Sequence, residues 1–296
     1  MAVAAVAERR AVAGRGERAL HRAWVRFRRN RTAMVALGVI ILEILIAVFA
    51  PLLAPYDPYH GDYAATWQLP SAQHLLGTDD LGRDVLSRLI YGSRVSIAIG
   101  VLSQIVLVLV GVPIGALAGL LGGKFDYAVM RVIDVLSSLP SLLFYILLLV
   151  VLGAGFGNII LAMAITGWIG VARLVRGQVL SLKETDFIRA ARAMGGGTWH
   201  IVTLHLVRNT LTPVIITMTL GVPGAMFAEA GLSYLGLGIA PPTPSWGQMI
   251  GLYQQYIQTY WNLTVFPAIV LAITMLAWVL VGDALRDALD PTVRRG

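Results

Sequence analysis

The sequence contains no cysteine, which excludes both disulfide bridges and cysteine-based metal sites. Charged side chains make up only 13% of its 296 residues. There is no G-x-x-x-x-G-K-S/T phosphate loop and no H-E-x-x-H zinc motif, and no Ser, His and Asp set shares a pocket. We therefore expect no ATP hydrolysis by the chain itself, no enzymatic activity, no catalytic residue and no metal ligand.

Apolar residues make up 57% of the chain, and apolar blocks of about 18 residues or more recur along it. This pattern predicts one all-α membrane domain rather than a soluble core. Pro140, Pro213 and Pro223 are predicted kink sites, and Gly167 and Gly170 are predicted to permit close helix contact. The six predicted transmembrane helices are residues 33–54, 95–121, 132–152, 159–174, 211–230 and 263–281.

The formal net charge of +7 would suggest nucleic-acid binding in a soluble protein, but membrane topology explains it better here. With six spans and both termini on one side, 20 of the 23 Lys and Arg residues fall on that side, and Arg83, Arg88 and Arg94 fall on the other. Basic residues concentrate on the cytoplasmic side of membrane proteins. We therefore predict cytoplasmic termini, contact with membrane lipid and no nucleic-acid partner.

Residues 1–32 form a basic, cytoplasmic N-terminal tail that precedes the first span, residues 33–54. A cleaved signal peptide is the alternative, but this apolar block is longer than a typical signal-peptide core and ends at prolines. Trp24 and Phe27 are expected to anchor a short surface helix in the membrane. Glu43 lies near the middle of the span, either as a proton or ion site or, as we favour, as a hydrogen-bonded contact to a partner subunit.

The predicted extracytoplasmic parts are residues 55–94, which end in an amphipathic helix, and the Gly- and Pro-rich loop 231–262. His60, Asp62, His74, Asp79 and Asp80 have no recognisable metal-ligand spacing, which favours a solvated loop. The second loop is either a gate or docking surface or a packed re-entrant segment. The pore or gate residues that we assign in or beside it are Glu229, Ser233 and Tyr234.

Residues 95–283 form a predicted five-helix core, and a cytoplasmic tail, residues 284–296, follows it. Within this core, a polar, basic stretch in residues 177–210 separates two of the apolar blocks. Thr185 or Asp186 is a suitable helix cap, and the glycines from Gly195 to Gly197 end the helix. Its apolar stripe consists of Phe187, Ala190, Ala191 and Met194. The stretch is either a simple connection or a docking helix for another protein.

The Arg189-Ala190-Ala191 triplet followed by Gly195 resembles the EAA motif of ABC-importer permeases, with Arg189 in place of the usual Glu. Three further stretches, Gly77 to Val85, Ala228 to Met249 and Gly282 to Pro291, resemble the permeases of dipeptide and oligopeptide importers. The chain is thus similar to the C-type permease subunit of the dipeptide, oligopeptide and nickel ABC importers. The resemblance implies the type I importer (MetI-like) fold with six transmembrane helices.

The resemblance also implies a bacterial inner-membrane assembly with a B-type permease, an extracytoplasmic binding protein, and two cytoplasmic ATPases that hold ATP and Mg²⁺. This chain would bind no cofactor directly and would form half of a pore for peptides. The ATPase-docking residues would be Asp186, Phe187, Ile188, Arg189, Ala190, Ala191, Arg192, Met194 and Gly195. The rival hypotheses are an ion-coupled carrier or channel that uses Glu43 and Glu229, and a membrane scaffold.

Overall fold

The structure is a computed structural model that describes residues 21, 23–183, 185 and 207–289, the side chains of 207–209 excepted. Within these residues all regular secondary structure is helical, apart from one isolated β-bridge between Thr78 and Asp84. A short helical segment covers residues 23–29. The helices that follow are α1 (Arg31–Val48), α2 (Ala50–Leu53), α3 (Val85–Leu121), α4 (Gly123–Ser137), α5 (Ser141–Leu152), α6 (Phe156–Lys183), α7 (Val207–Tyr234), α8 (Trp246–Tyr253) and α9 (Asn262–Leu289).

Five of these helices, α1, α3, α6, α7 and α9, are long and apolar enough to cross a membrane. The predicted amphipathic helix and second span form one continuous helix, α3, of 37 residues. Its start is fixed by Asp84, whose carboxylate accepts a hydrogen bond from the Ser87 amide at 2.7 Å. Helix α7 likewise continues through Pro213 and Pro223.

The remaining crossing is formed by α4 and α5, which are bent by 82° relative to each other. We expected a turn at residues 122–126 and one span from 132 to 152 with a kink at Pro140, but the chain is helical from Gly123 and breaks before Ser141. Pro140 lacks an amide hydrogen, and its ring disfavours the helical conformation in Leu139. The break is therefore much larger than a kink. Counted as one bent crossing, the pair gives the six spans of the predicted fold.

The centre of the bundle is the close packing of α3 against α6. A Cβ atom on Gly111, Gly115 or Gly119 of α3 would lie within 3.0 Å of atoms on α6. Small residues at four-residue spacing let two helix backbones approach closely in a membrane. Of the two glycines predicted to make such contacts, Gly167 packs against Leu107, whereas Gly170 has no described neighbour within 4 Å of its Cβ position.

The side-chain contacts also fix the direction of each span. Helix α6 runs parallel to α3, because Gly167 lies beside Leu107 and Gly119 beside Val179. Helix α7 runs antiparallel to α3, with Gly100 beside Met226. At one end of the bundle, here called the loop end, lie residues 56–84 and 235–261. At the opposite, tail end, α1 begins, α6 ends, α7 begins and α9 ends.

Helix α1 lies at the edge of the bundle, against α9 and α3. Glu43 on α1 accepts a hydrogen bond from the Thr274 hydroxyl of α9 at 2.7 Å. The described hydrogen bond of this carboxylate is therefore within the chain, and the contact to a partner subunit that we expected stays a prediction.

Candidate functional site

The predicted docking residues, Asp186 to Gly195, lie outside the described residues, as do His205 and the side chain of Asn209. What is described is their attachment to the bundle. Helix α6 ends and helix α7 begins at the same, tail end. Lys183, the last residue of α6, donates to the Gly119 carbonyl at 3.5 Å. The segment between the two helices is thus joined to a helix that packs tightly on α3.

The tail-end part of α6 carries two ion pairs with α4. Two nitrogens of Arg176 bind the Asp126 carboxylate, and the Nη2 atom lies 2.6 Å from Oδ2. Arg173 lies 3.3 Å from Asp134. Asp134 also lies 3.8 Å from Arg131, a pairing that the three-residue spacing on one helix predicts from sequence. The two α6 contacts were missed because they join residues 39 and 50 positions apart. They tie the tail end of α6 to the bent crossing.

At the loop end, the predicted gate residue Glu229 is fully buried between α7 and α8. Its Oε1 atom accepts hydrogen bonds from the hydroxyls of Ser233 and Ser245, both at 2.8 Å. A Cβ atom on Gly247 would approach its Oε2 atom to 2.5 Å. Glu229 and Ser233 thus lie within the subunit and hold α8 onto α7, whereas the neighbouring Tyr234 is exposed.

Ser245 should be the most sensitive hydroxyl of this cluster, because it also caps α8 by accepting from the Gln248 amide at 3.0 Å. We expect Ser245→Ala to destabilise the subunit by about 1–2 kcal/mol, since a cap and a buried partner of Glu229 are lost together. Thermal unfolding of the purified subunit measures this. Ser245→Thr keeps the hydroxyl and should remain near the native value; equal losses in both variants would contradict the role of the hydroxyl.

Residues 77–88 form a second buried network at the loop end. Asp79 is fully buried and accepts from the Arg83 Nε atom at 2.7 Å and from the backbone amides of Leu81 and Arg83. The Nε atom of Arg88 lies 3.5 Å from the same carboxylate. Asp79 is therefore the shared ion-pair partner of two arginines that are buried at the loop end.

This network reaches across to the second loop. Arg88 donates to the carbonyls of Pro58 and Pro242 and to the Gln248 side chain at 3.3 Å. Tyr253 donates to Asp80 at 2.6 Å and accepts from Arg83 at 3.3 Å. Burial, together with the nearby carboxylates, raises the pKa of Tyr253 well above its usual value, so its hydroxyl remains a donor. The Gly77–Val85 and Ala228–Met249 stretches are thereby brought into one network.

The expectation that this first loop is simply solvated was wrong for its second half. Asp79 is buried in the arginine network, and His74 lies 2.9 Å from Asp84, the residue that caps α3. Asp57 and His60, by contrast, form an exposed pair. Within the described ranges, no group of three or more acidic or histidine residues is placed to hold a metal ion. Ion pairing accounts for the burial of Asp79, and helix capping accounts for that of Asp84.

Comparison with known proteins covers almost the whole chain. Residues 111–295 match the family described as binding-protein-dependent transport system inner membrane component. Residues 19–71 match the N-terminal transmembrane domain of oligopeptide transport permease C. These two regions include all the spans named above except the first part of α3.

Relatives of similar length are permease proteins of three transport systems. The dipeptide transport system permease protein DppC of Bacillus subtilis is 44% identical over 92% of this chain and 86% of its own length. The oligopeptide transport system permease protein OppC of the same organism is 47% identical over 92% of this chain and 90% of its own. The glutathione transport system permease protein GsiD of Escherichia coli O157:H7 is 40% identical over 93% of this chain and 91% of its own.

Among solved structures, a chain of the MetNI methionine ABC transporter in an inward-facing conformation superposes with a TM-score of 0.57. The match covers 69% of this chain and 97% of the other at 21% identity, which confirms the predicted MetI-like fold. Together with the family matches, this establishes that the chain belongs to the binding-protein-dependent transport permeases, as a C-type permease of the group that contains DppC and OppC.

Proposed function

We propose that this subunit of an ABC importer forms half of a translocation pore for dipeptides and oligopeptides. The observation that carries the proposal is the identity of 44–47% to DppC and OppC over 92% of the chain. GsiD, named for glutathione, is 40% identical, so short peptides are the common chemistry among these three relatives. The ion-coupled alternative has less support, because Glu43 and Glu229 contact different helices and both make hydrogen bonds within the subunit.

The second part of the proposal is the orientation. The tail end faces the bacterial cytoplasm and the loop end faces outward, because the exposed arginines and lysines concentrate at the tail end. Two of the three loop-end arginines, Arg83 and Arg88, are buried and paired with Asp79, so they add little exposed positive charge there. The positive-inside rule then supports cytoplasmic termini in the inner membrane.

This orientation suggests the partners and the place of each. A B-type permease completes the pore, and a binding protein delivers peptide to the loop end. Two ATPases, which hold ATP and Mg²⁺, act at the tail end. The docking helix, Asp186 to Gly195, transmits their closure to α6, which ends before it in the chain, and to α7, which begins after it. The ion pairs of Arg173 and Arg176 with α4 support this, because a push on the end of α6 reaches the bent crossing directly.

The test is Ala190→Asp in the co-expressed assembly, because a charge in the small apolar stripe would remain unpaired in the ATPase cleft. We expect peptide uptake into proteoliposomes to fall at least about tenfold, which corresponds to roughly 1.4 kcal/mol of lost coupling. Membrane insertion and association with the second permease should be unchanged. Ala190→Ser, a small neutral replacement, should retain most uptake.

A Gly/Ser linker in place of Asp186 to Gly195 extends the same test. The assembly should then lose its ATPases and keep the second permease. Labelled dipeptide, oligopeptide and glutathione are compared as substrates in the native assembly. Full uptake by Ala190→Asp would contradict the docking role, and uptake driven by a pH gradient without ATP would establish the ion-coupled alternative.

A further inference from the structure

A groove of about 340 Å³ runs between α1 and α9 in the tail-end half of the bundle. It begins at Arg31 and Thr32, and the rest of its lining is apolar. The residues from Thr32 to Val39 give it a length of roughly 10 Å at 1.5 Å per residue, compared with about 15 Å for half of a bilayer core. The groove therefore extends from one membrane interface toward the midplane. Its apolar lining residues are Val35, Ala36, Val39, Ile273, Leu276, Ala277 and Leu280.

The mouth of this groove is strongly basic. Arg31 is exposed, and so are three arginines in the preceding helical segment: Arg26, Arg28 and Arg29. None of the four forms a salt bridge with another described residue, and neither do the exposed acids Asp283 and Asp287 near the end of α9. Four arginines against two acids leave the mouth with excess positive charge.

The segment that carries these arginines is fixed at the membrane interface. We expected Trp24 and Phe27 both to anchor it in lipid, but Phe27 is buried against Ala284 and Ala288 of α9. Trp24 stacks on Phe27 at 5.9 Å and remains half exposed. Exposed tryptophan is typical of the headgroup level of a bilayer. The contact with α9 thus fixes this segment at the tail end, directly before Arg31 at the start of the groove.

We propose that the groove binds an anionic phospholipid of the tail-end leaflet. Arg31 binds its phosphate, and one acyl chain lies along Val35, Ile273 and Leu276. A basic mouth above an apolar channel matches a negatively charged headgroup above an acyl chain. A helix of another subunit would cover the apolar wall but would leave the arginine cluster without anions. The lipid covers the exposed side chains of α1 and occupies the groove between α1 and α9.

The experiment is native mass spectrometry of the delipidated full assembly, titrated with phosphatidylglycerol or, as the zwitterionic comparison without net charge, phosphatidylethanolamine. We expect Arg31→Gln to weaken phosphatidylglycerol binding about fivefold, the effect of one basic residue at an anionic surface. Val35→Trp, which narrows the groove at an exposed wall, should abolish the bound lipid. Arg31→Lys should retain most of the binding.

Arg131→Gln is the control, because it removes an exposed arginine at the same end of the bundle but on α4. It should leave binding unchanged. A photoreactive phosphatidylglycerol should crosslink to residues 31–39 and 273–280. Equal binding of both lipids, equal losses in the Arg31 and Arg131 variants, or crosslinks from this groove to the second permease instead of lipid would each overturn the proposal.

Discussion

Asp79→Ala should destabilise the loop end by about 3–5 kcal/mol, the cost of removing one partner from a buried ion-paired group. The carboxylate of Asp79 is the shared partner of Arg83 and Arg88, and both guanidinium groups are almost completely buried. Its removal leaves two positive charges close together inside the protein. It also frees the amides of Leu81 and Arg83, which the carboxylate binds.

The loss of stability in Asp79→Ala should appear first where the buried network connects the two loops. Hydrogen exchange would be measured across residues 56–84 and 246–256, together with the thermal unfolding temperature of the purified assembly. We expect faster exchange in both segments, because Arg88 and Tyr253 connect them. Under the proposed function, in which a binding protein delivers peptide to the loop end, peptide uptake should weaken as well.

Asp57→Ala is the matched control, since Asp57 lies in the same loop but is exposed and pairs only with the exposed His60 among described residues. We expect no measurable change in unfolding temperature or exchange outside the immediate turn. If Asp79→Ala behaves like Asp57→Ala, the buried network does not stabilise the loop end.

Gly115→Ala should be the most damaging single-methyl addition in the bundle. The new Cβ would lie 2.3 Å from the carbonyl oxygen of Ala172 and 2.9 Å from its Cα. Both are backbone atoms, so neither can rotate away, and α3 and α6 must separate. We expect a loss of about 3 kcal/mol, at the upper end of the range for overpacking, measured as unfolding of the subunit in mixed detergent.

Gly170→Ala on α6 provides the comparison, because no described atom lies within 4 Å of its Cβ position. Alanine favours a helix more than glycine does, so this variant should be neutral or slightly stabilised. Separation of α3 from α6 should also disturb the ion pairs of Arg173 and Arg176 with α4. Equal stability of the two variants would show that the α3–α6 contact is not tightly packed.

The sequence predicted the number and order of the spans because a membrane requires long apolar helices, and this requirement is local in the chain. It also predicted an amphipathic helix at the end of residues 55–94, and this helix is the first part of α3. Pro140 was recognised as a point of bending, but its neighbours did not reveal an 82° turn. A hydropathy pattern counts apolar residues, and it does not report the direction of the helix axis.

The contacts that give the candidate site its form lie beyond what local patterns show. Gly111, Gly115 and Gly119 have helical spacing, yet only the position of α6 decides that they face a helix while Gly170 does not. Glu229 was assigned to the pore or gate because it lies near the outer end of a span, and that assignment stays a prediction. The structure shows that two serines and a helix turn enclose it.

The sequence by itself therefore determined that this chain is a six-span membrane protein with a basic end, without cysteine, and with the stretches typical of its family. Only the tertiary structure decided which polar groups are buried together: Asp79 with two arginines and a tyrosine from the other loop, Arg176 with Asp126, and Glu43 with Thr274. The physical reason is that apolar periodicity and helix capping act within a few residues. Ion pairs and hydrogen bonds in a low-dielectric interior also join residues dozens to hundreds of positions apart, such as Arg176 with Asp126 and Tyr253 with Asp80.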